Sequence, residues 1–214
     1  MCSNYRPVTR SDHLLAHFGV VRPQGELPLD CYPSYLAPFI RRARDKTDYA
    51  REVNDGRFGL IPTWSGDLAM GKKTCNARSE TVAEKPSYRD AWKRGQRCIV
   101  PAAWFNEPNH ESGKHVKWRI GRKGWTPMGI AGLWGWWKDK MTGEEIFSFT
   151  MLTVNADDHE LMKRFHKPGE EKRMVVILHE ADYDRWLECP VDQAWEMIRQ
   201  YPAEMMEASP LYPG

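Results

Sequence analysis

The sequence predicts an α+β fold with a mainly antiparallel, barrel-like β-sheet core and peripheral helices. Two patterns carry this reading. Strand-like segments rich in β-branched and aromatic residues outnumber helical ones, and the helices do not alternate with strands as βαβ units would require. The 214 residues suffice to bury a substantial core and suit a single domain spanning residues 1–214.

Taken in order, Thr9 or Ser11 is placed to cap a short helix through Leu14, Leu15 and Phe18, with Gly19 as its stop. Residues 20–38 hold five prolines and glycines and read as an ordered loop. Residues 41–55 are polar and charged, a hairpin or an exposed connection. Strands are predicted over residues 58–62, 97–101, 116–120, 128–134, 146–154 and 174–178. Helical patterns cover residues 87–94 and 156–165, then 180–187 and 191–200 on either side of Pro190. The segment 188–214 is therefore expected to be a helical C-terminal piece.

Net charge is only +2, so average charge demands no nucleic-acid partner, although a local basic surface is compatible with it. Five cysteines at 2, 31, 75, 98 and 189 are odd in number and lack CxxC spacing, which fits neither a disulfide framework nor a zinc knuckle. No apolar run is long enough to span a bilayer, and the first residues lack the apolar stretch of a signal peptide. A cytoplasmic protein without membrane, metal or cofactor is expected, and nothing suggests more than a monomer. Most of the ten tryptophans read as core or rim aromatics.

Cys2 follows the initiator Met1, and so small a second residue normally permits removal of the methionine. The new terminus would carry an α-amine and a thiol on adjacent carbons. The amine condenses with an aldehyde to an imine, and the thiolate closes on the imine carbon to give a thiazolidine. Unperturbed pKa values of about 7.7–8.0 for the amine and about 8.5 for the thiol make both nucleophiles accessible near neutrality. By itself this terminus also fits an inert, frayed end.

Three further strings carry polar chemistry. Residues 74–81 pair an amide (Asn76), a guanidinium fork (Arg78) and a carboxylate (Glu80) between a strand and a helix; an ordinary loop with an ion pair reads equally well. Glu107 closes an apolar, aromatic stretch that contains Trp104 and Phe105, a setting that raises a carboxyl pKa by desolvation. His166 leaves a predicted helix toward Lys167 and Pro168 and is either a proton carrier or a partner of the helix dipole. The other histidines show no metal-ligand spacing.

Together these strings resemble the SRAP family, the SOS-response-associated peptidases also described as abasic-site processing proteins. The resemblance rests on Met1-Cys2, residues 58–64 (FGLIPTW), 76–81 (NARSET), 88–92 (YRDAW), 97–102 (RCIVPA), Glu107, 129–134 (GIAGLW), 152–154 with Ala156, and His166 followed by 173–178 (RMVVIL). It covers residues 1–187. It implies binding of single-stranded DNA and covalent capture of the ring-opened abasic-site aldehyde by Cys2, with nucleoid association on damaged DNA. Asn76 would position the terminal residue or the sugar, while Glu107 and His166 move protons. Arg78, Lys167 and Arg173 would hold phosphates, and Trp64, Trp104 and Phe105 would lie against DNA bases. The family name also implies an N-terminal-cysteine peptidase, with self-processing at Met1, as a second activity. A binding module with an idle Cys2 is the third reading. The chain departs from the family pattern at Ser3-Asn4 for Gly-Arg, at Ala103-Trp104 for Asp-Gly and at Pro108 for an aromatic. It also carries a longer link, residues 167–172, between His166 and Arg173.

Overall fold

The computed structural model describes residues 4–23, 25–43 and 50–211. The expectations attached to Met1, Cys2 and Ser3 fall outside them.

The chain opens with β1 (Tyr5–Pro7) and α1 (Ser11–Phe18). The predicted helix and its stop are found: Gly19 takes a left-handed φ of 69° and its N–H closes on Leu15 O at 3.1 Å. The predicted cap is not. The N-cap is Arg10, with no side-chain cap, and Ser11 Oγ instead donates to Arg22 O at 2.9 Å. A hairpin of β2 (Leu36–Arg42) and β3 (Arg51–Phe58) follows, paired from Leu36↔Arg57 to Arg42↔Arg51.

The stretch 58–62 is not the strand its composition suggests, because β3 ends at Phe58. Gly59 turns the chain at φ 118°, and a Cβ there would meet Gly71 O at 1.9 Å. Only glycine fits this crossing of two backbones. Beyond it lie β4 (Asn76–Arg78), α2 (Arg89–Lys93), β5 (Arg97–Asn109), β6 (Val116–Arg122), β7 (Met128–Lys138) and β8 (Glu145–Asn155). The chain finishes with β9 (Arg173–Val175), β10 (Ile177–Leu178), α3 (Tyr183–Glu188), α4 (Val191–Ala194) and β11 (Met206–Pro210).

The strands form one sheet in the order β10-β7-β8-β3-β2-β5-β6-β11, and a further β5–β7 pairing closes β5, β7, β8, β3 and β2 into a ring. Pairing is antiparallel except where β8 runs parallel to β3 and β4. The barrel is filled by Phe39, Phe58, Phe149 and Met151, all fully buried, each large ring or chain contributing about 1.5–3 kcal/mol; Ile99 and Leu133 are buried on the opposite face of the sheet. β5 is the axis of the molecule. Its first half pairs β7 as far as Ala102↔Met128, and its second half pairs β6 from Phe105↔Ile120. Pro101, which lacks an N–H, sits close to that change of partner.

Two expected helices are corrected. Over residues 156–165 only a 3-10 turn, Met162–Arg164, forms. His159 Nδ1 accepts from the backbone N–H of Leu161 (3.2 Å) and Met162 (3.1 Å), and Asn155 Oδ1 takes the Asp157 N–H at 3.0 Å. These local bonds displace the helical pattern. The C-terminal piece is helical as far as Met197 and again in a 3-10 turn, Ala203–Met205, before β11 adds to the sheet along β6.

Candidate functional site

Glu107 stands near the end of β5 and is 3% exposed; His166, 7% exposed, lies in the segment leading to β9. Their side chains meet with His166 Nδ1 3.4 Å from Glu107 Oε2. Backbone bonds fix this meeting: His166 N–H donates to Pro108 O at 3.0 Å, and Asn109 bridges Phe165. His166 itself takes a left-handed φ of 62°, a strained conformation for a residue with a side chain.

The ring's other nitrogen, Nε2, lies 3.0 Å from Arg173 O. A carbonyl only accepts, so Nε2 carries a hydrogen and the neutral ring presents a lone pair at Nδ1. Burial pushes the Glu107 carboxyl up from 4.5 to about 7 and pushes the His166 imidazole down. Both shifts favour the uncharged forms. Neutral Glu107 has a proton to give and neutral His166 has the lone pair to receive it. The Glu107 carboxyl and the Nδ1 lone pair of His166 thus face each other across 3.4 Å.

Asn76 lies on β4, registered with Met151 of β8, and its carbonyl accepts from Tyr88 Oη at 3.0 Å. β9 lies against the same strand, Thr153 pairing both Arg78 and Val175. β4, which carries Asn76, and β9, whose Arg173 carbonyl meets the His166 ring, thus flank the same strand. Arg78 is half-exposed and paired with Glu171 at 2.8 Å. Trp64 is 53% exposed, its indole tethered to Pro86 O at 3.2 Å. Trp104 is half-buried and Lys167 is exposed on the turn after His166. The longer link 167–172 is closed by Lys172 Nζ, which donates to Lys167 O at 2.7 Å.

Two DNA-contact expectations are corrected. Phe105 is fully buried in the core beneath β1 and β6, so it has no face to offer a base. The Arg173 side chain is 2% exposed and committed to Glu80 (2.8 Å), Glu171 (2.6 Å) and Thr153 O (2.8 Å). It braces β8 and β9 under His166 and is not available to a phosphate. Sequence reasoning also missed Asn4 and Asn106, buried residues whose amides join each other, with Asn4 Nδ2 donating to Cys31 O at 3.2 Å. They pin the first described residue of the chain to β5 beside Glu107. Their only signal was an Asn in an otherwise apolar strand.

The remaining thiols divide sharply. Burial raises Cys31 and Cys75 to about 12 and pushes Cys98 well up too, so none of these is a thiolate near neutrality. Cys189 lies beside Arg97, which begins β5, the far end of that strand from Glu107. Among the described residues no group of three or more His, Cys, Asp or Glu gathers to hold a metal ion.

An abasic site processing protein, YoqW of Bacillus subtilis, is 31% identical over 223 residues, covering 97% of this chain and 91% of its own. The abasic site processing protein HMCES of Gallus gallus is 27% identical over 196 residues, covering 78% of this chain and 55% of the longer relative. The crystal structure of a Bordetella bronchiseptica protein superposes with a TM-score of 0.90 at 39% identity, across 99% of this chain and 100% of that one. A Bacteroides thetaiotaomicron structure shares the fold at a TM-score of 0.78 and 24% identity. The SOS response associated peptidase profile matches residues 1–213, and with this fold and these relatives the chain belongs to the SRAP family.

Proposed function

We propose that this protein processes abasic sites by covalent capture in single-stranded DNA, through the α-amine and thiol of Cys2 after Met1 is removed. The amine adds to the aldehyde carbon of the opened sugar to give a carbinolamine; its hydroxyl takes up a proton and leaves as water while the nitrogen gives up its proton, forming the imine. The thiolate then adds to the imine carbon while the nitrogen regains a proton, closing the thiazolidine. Each step moves one proton at neutral pH. The observation that carries the reading is the buried Glu107–His166 pair at 3.4 Å, poised to give and take that proton.

Three features support the rest. Asn4 is fixed beside β5 by Asn106 and Cys31, and a span of two residues reaches at most about 7 Å. In this reading Cys2 acts within that reach of β5. The other cysteines of the barrel are buried as thiols. Two relatives bear the name abasic site processing protein. In this reading Asn76 orients the sugar or the terminal amine, Arg78 and Lys167 meet flanking phosphates, and Trp64 stacks an unpaired base.

The test is incubation of the protein with an oligonucleotide carrying one abasic site, followed by denaturing electrophoresis. A shifted, denaturation-resistant species is expected with wild type and absent with Cys2→Ala. Its absence from wild type would sink the proposal. Cleavage of a peptide that depends on Cys2, without any DNA adduct, would instead favour the peptidase activity in the family's name.

A further inference from the structure

The outer face of the sheet, across β1, β5 and β6, carries a second polar construction. Residues directly opposite one another on paired strands share a face. Arg6 lies opposite Trp104, and Asn106 lies opposite Arg119. Arg119 stands with its guanidinium carbon 4.1 Å from the Trp125 ring centre and 5.6 Å from that of Trp104. The two indoles meet edge to face at 6.4 Å. Arg6 lies 5.0 Å from the Trp104 ring on the same face.

This arrangement is held in place at a cost. Trp125 adopts a left-handed φ of 53°, a strained conformation for a residue with a side chain. Its N–H is tied to Glu207 Oε1 at 2.9 Å. Beneath it β6 has Gly121, where a Cβ would come within 3.3 Å of the Trp125 ring.

The charges on this face are unequal in their commitments. Arg6 is paired with Asp30 at 3.2 Å, and Glu207 is engaged by Trp125. Arg119 forms no ion pair among the described residues; its Nε and the Trp104 Nε1 are buried donors without hydrogen-bond partners there. A half-buried guanidinium oriented by two rings and lacking a counter-ion suits an anion. Lys117 continues the line along β6, 5.7 Å from the ring of Tyr32, which is 42% exposed. Cations alternating with aromatic faces match the alternation of phosphates and bases along a single strand. The row also contains Asn106 and its partner Asn4, the first described residue.

We propose that Arg119, packed against both Trp104 and Trp125, binds a backbone phosphate of the single-stranded DNA flanking the lesion. This rests on the DNA-capture reading above but concerns a different group and a different step. It also gives Trp104 a role apart from base stacking: the indole orients the cation.

The test is binding of an intact, fluorescein-labelled oligodeoxynucleotide, followed by anisotropy across a salt series. Arg119→Gln and Arg119→Met are expected to reduce the slope of log affinity against log salt by about 0.7, the loss of one single-strand phosphate contact. Arg119→Met keeps an apolar stem between the indoles and serves if the Gln variant does not fold. Arg119→Lys is expected to keep the slope and lose about threefold in affinity, because charge survives without the planar fork. With saturating abasic oligonucleotide, both charge-removing variants should reach the wild-type adduct plateau. Equal slopes for wild type, Gln and Met would overturn the proposal, as would a slope lost equally in Lys or wild type that binds no single strand. Adduct formation with an Arg119-independent slope removes only this contact. An Arg119-dependent slope without any adduct removes only the covalent step.

Discussion

Glu107 and His166 pull stability in opposite directions with pH. The Glu107 carboxyl is raised from 4.5 to about 7 by burial, so across that interval the unfolded chain has released a proton that the folded chain still holds. Its contribution is complete below pH 4.5 and is lost as pH rises through about 7. His166 is lowered from 6.5 by burial, so its contribution is complete above that value and fades as pH falls. Glu107→Gln should therefore melt with a more positive dependence on pH than wild type between pH 4.5 and 7, measured by thermal denaturation at several pH values. The same variant should slow adduct formation about a hundredfold, the lower range for a lost general acid or base. Cys2→Ser separates the two nucleophiles. It keeps the amine, so borohydride should trap an imine adduct, while the unreduced sample should release the DNA on denaturation.

At the scale of elements, the site depends on how β8 and β9 are braced and how the chain leaves β3. Arg173→Met removes the bonds to Thr153, Glu80 and Glu171. Because both carboxylates are partly exposed and regain water, a destabilisation of about 1–3 kcal/mol is expected, seen as a lower denaturant midpoint. Gly59→Ala should cost at least about 2–3 kcal/mol, since it combines an unfavourable φ with a collision against Gly71. Most strands were legible because β7 and β8 are dense in aromatic and β-branched residues. β1, β4 and β11 were not: each is five residues or fewer and becomes a strand only through its neighbour's unpaired backbone; β2 and β3, polar and charged, were legible only as a hairpin or an exposed connection. The pattern over residues 156–165 misled because its apolar spacing is helical while His159 and Asn155 spend their side chains on the backbone.

For the whole molecule, the barrel is a frame that brings together positions distant in sequence. A tag or retained Met1 ahead of Cys2 would block the α-amine and should abolish the adduct while leaving the melting temperature unchanged, checked by intact mass alongside the gel assay. What the sequence determined by itself was the α+β, mainly antiparallel class and the family, together with the residue types a proton-carrying site needs. These are local or cumulative properties, written in periodicity and motif order. What tertiary structure alone decided was the use of those residues. Glu107 and His166 become a dyad because β5 and the His166 segment share backbone bonds; Phe105 and Arg173, equally conspicuous in the sequence, are buried by the same folding and given to the core. Exposure and partnership are set by contacts between residues far apart in the chain, and no local pattern encodes them.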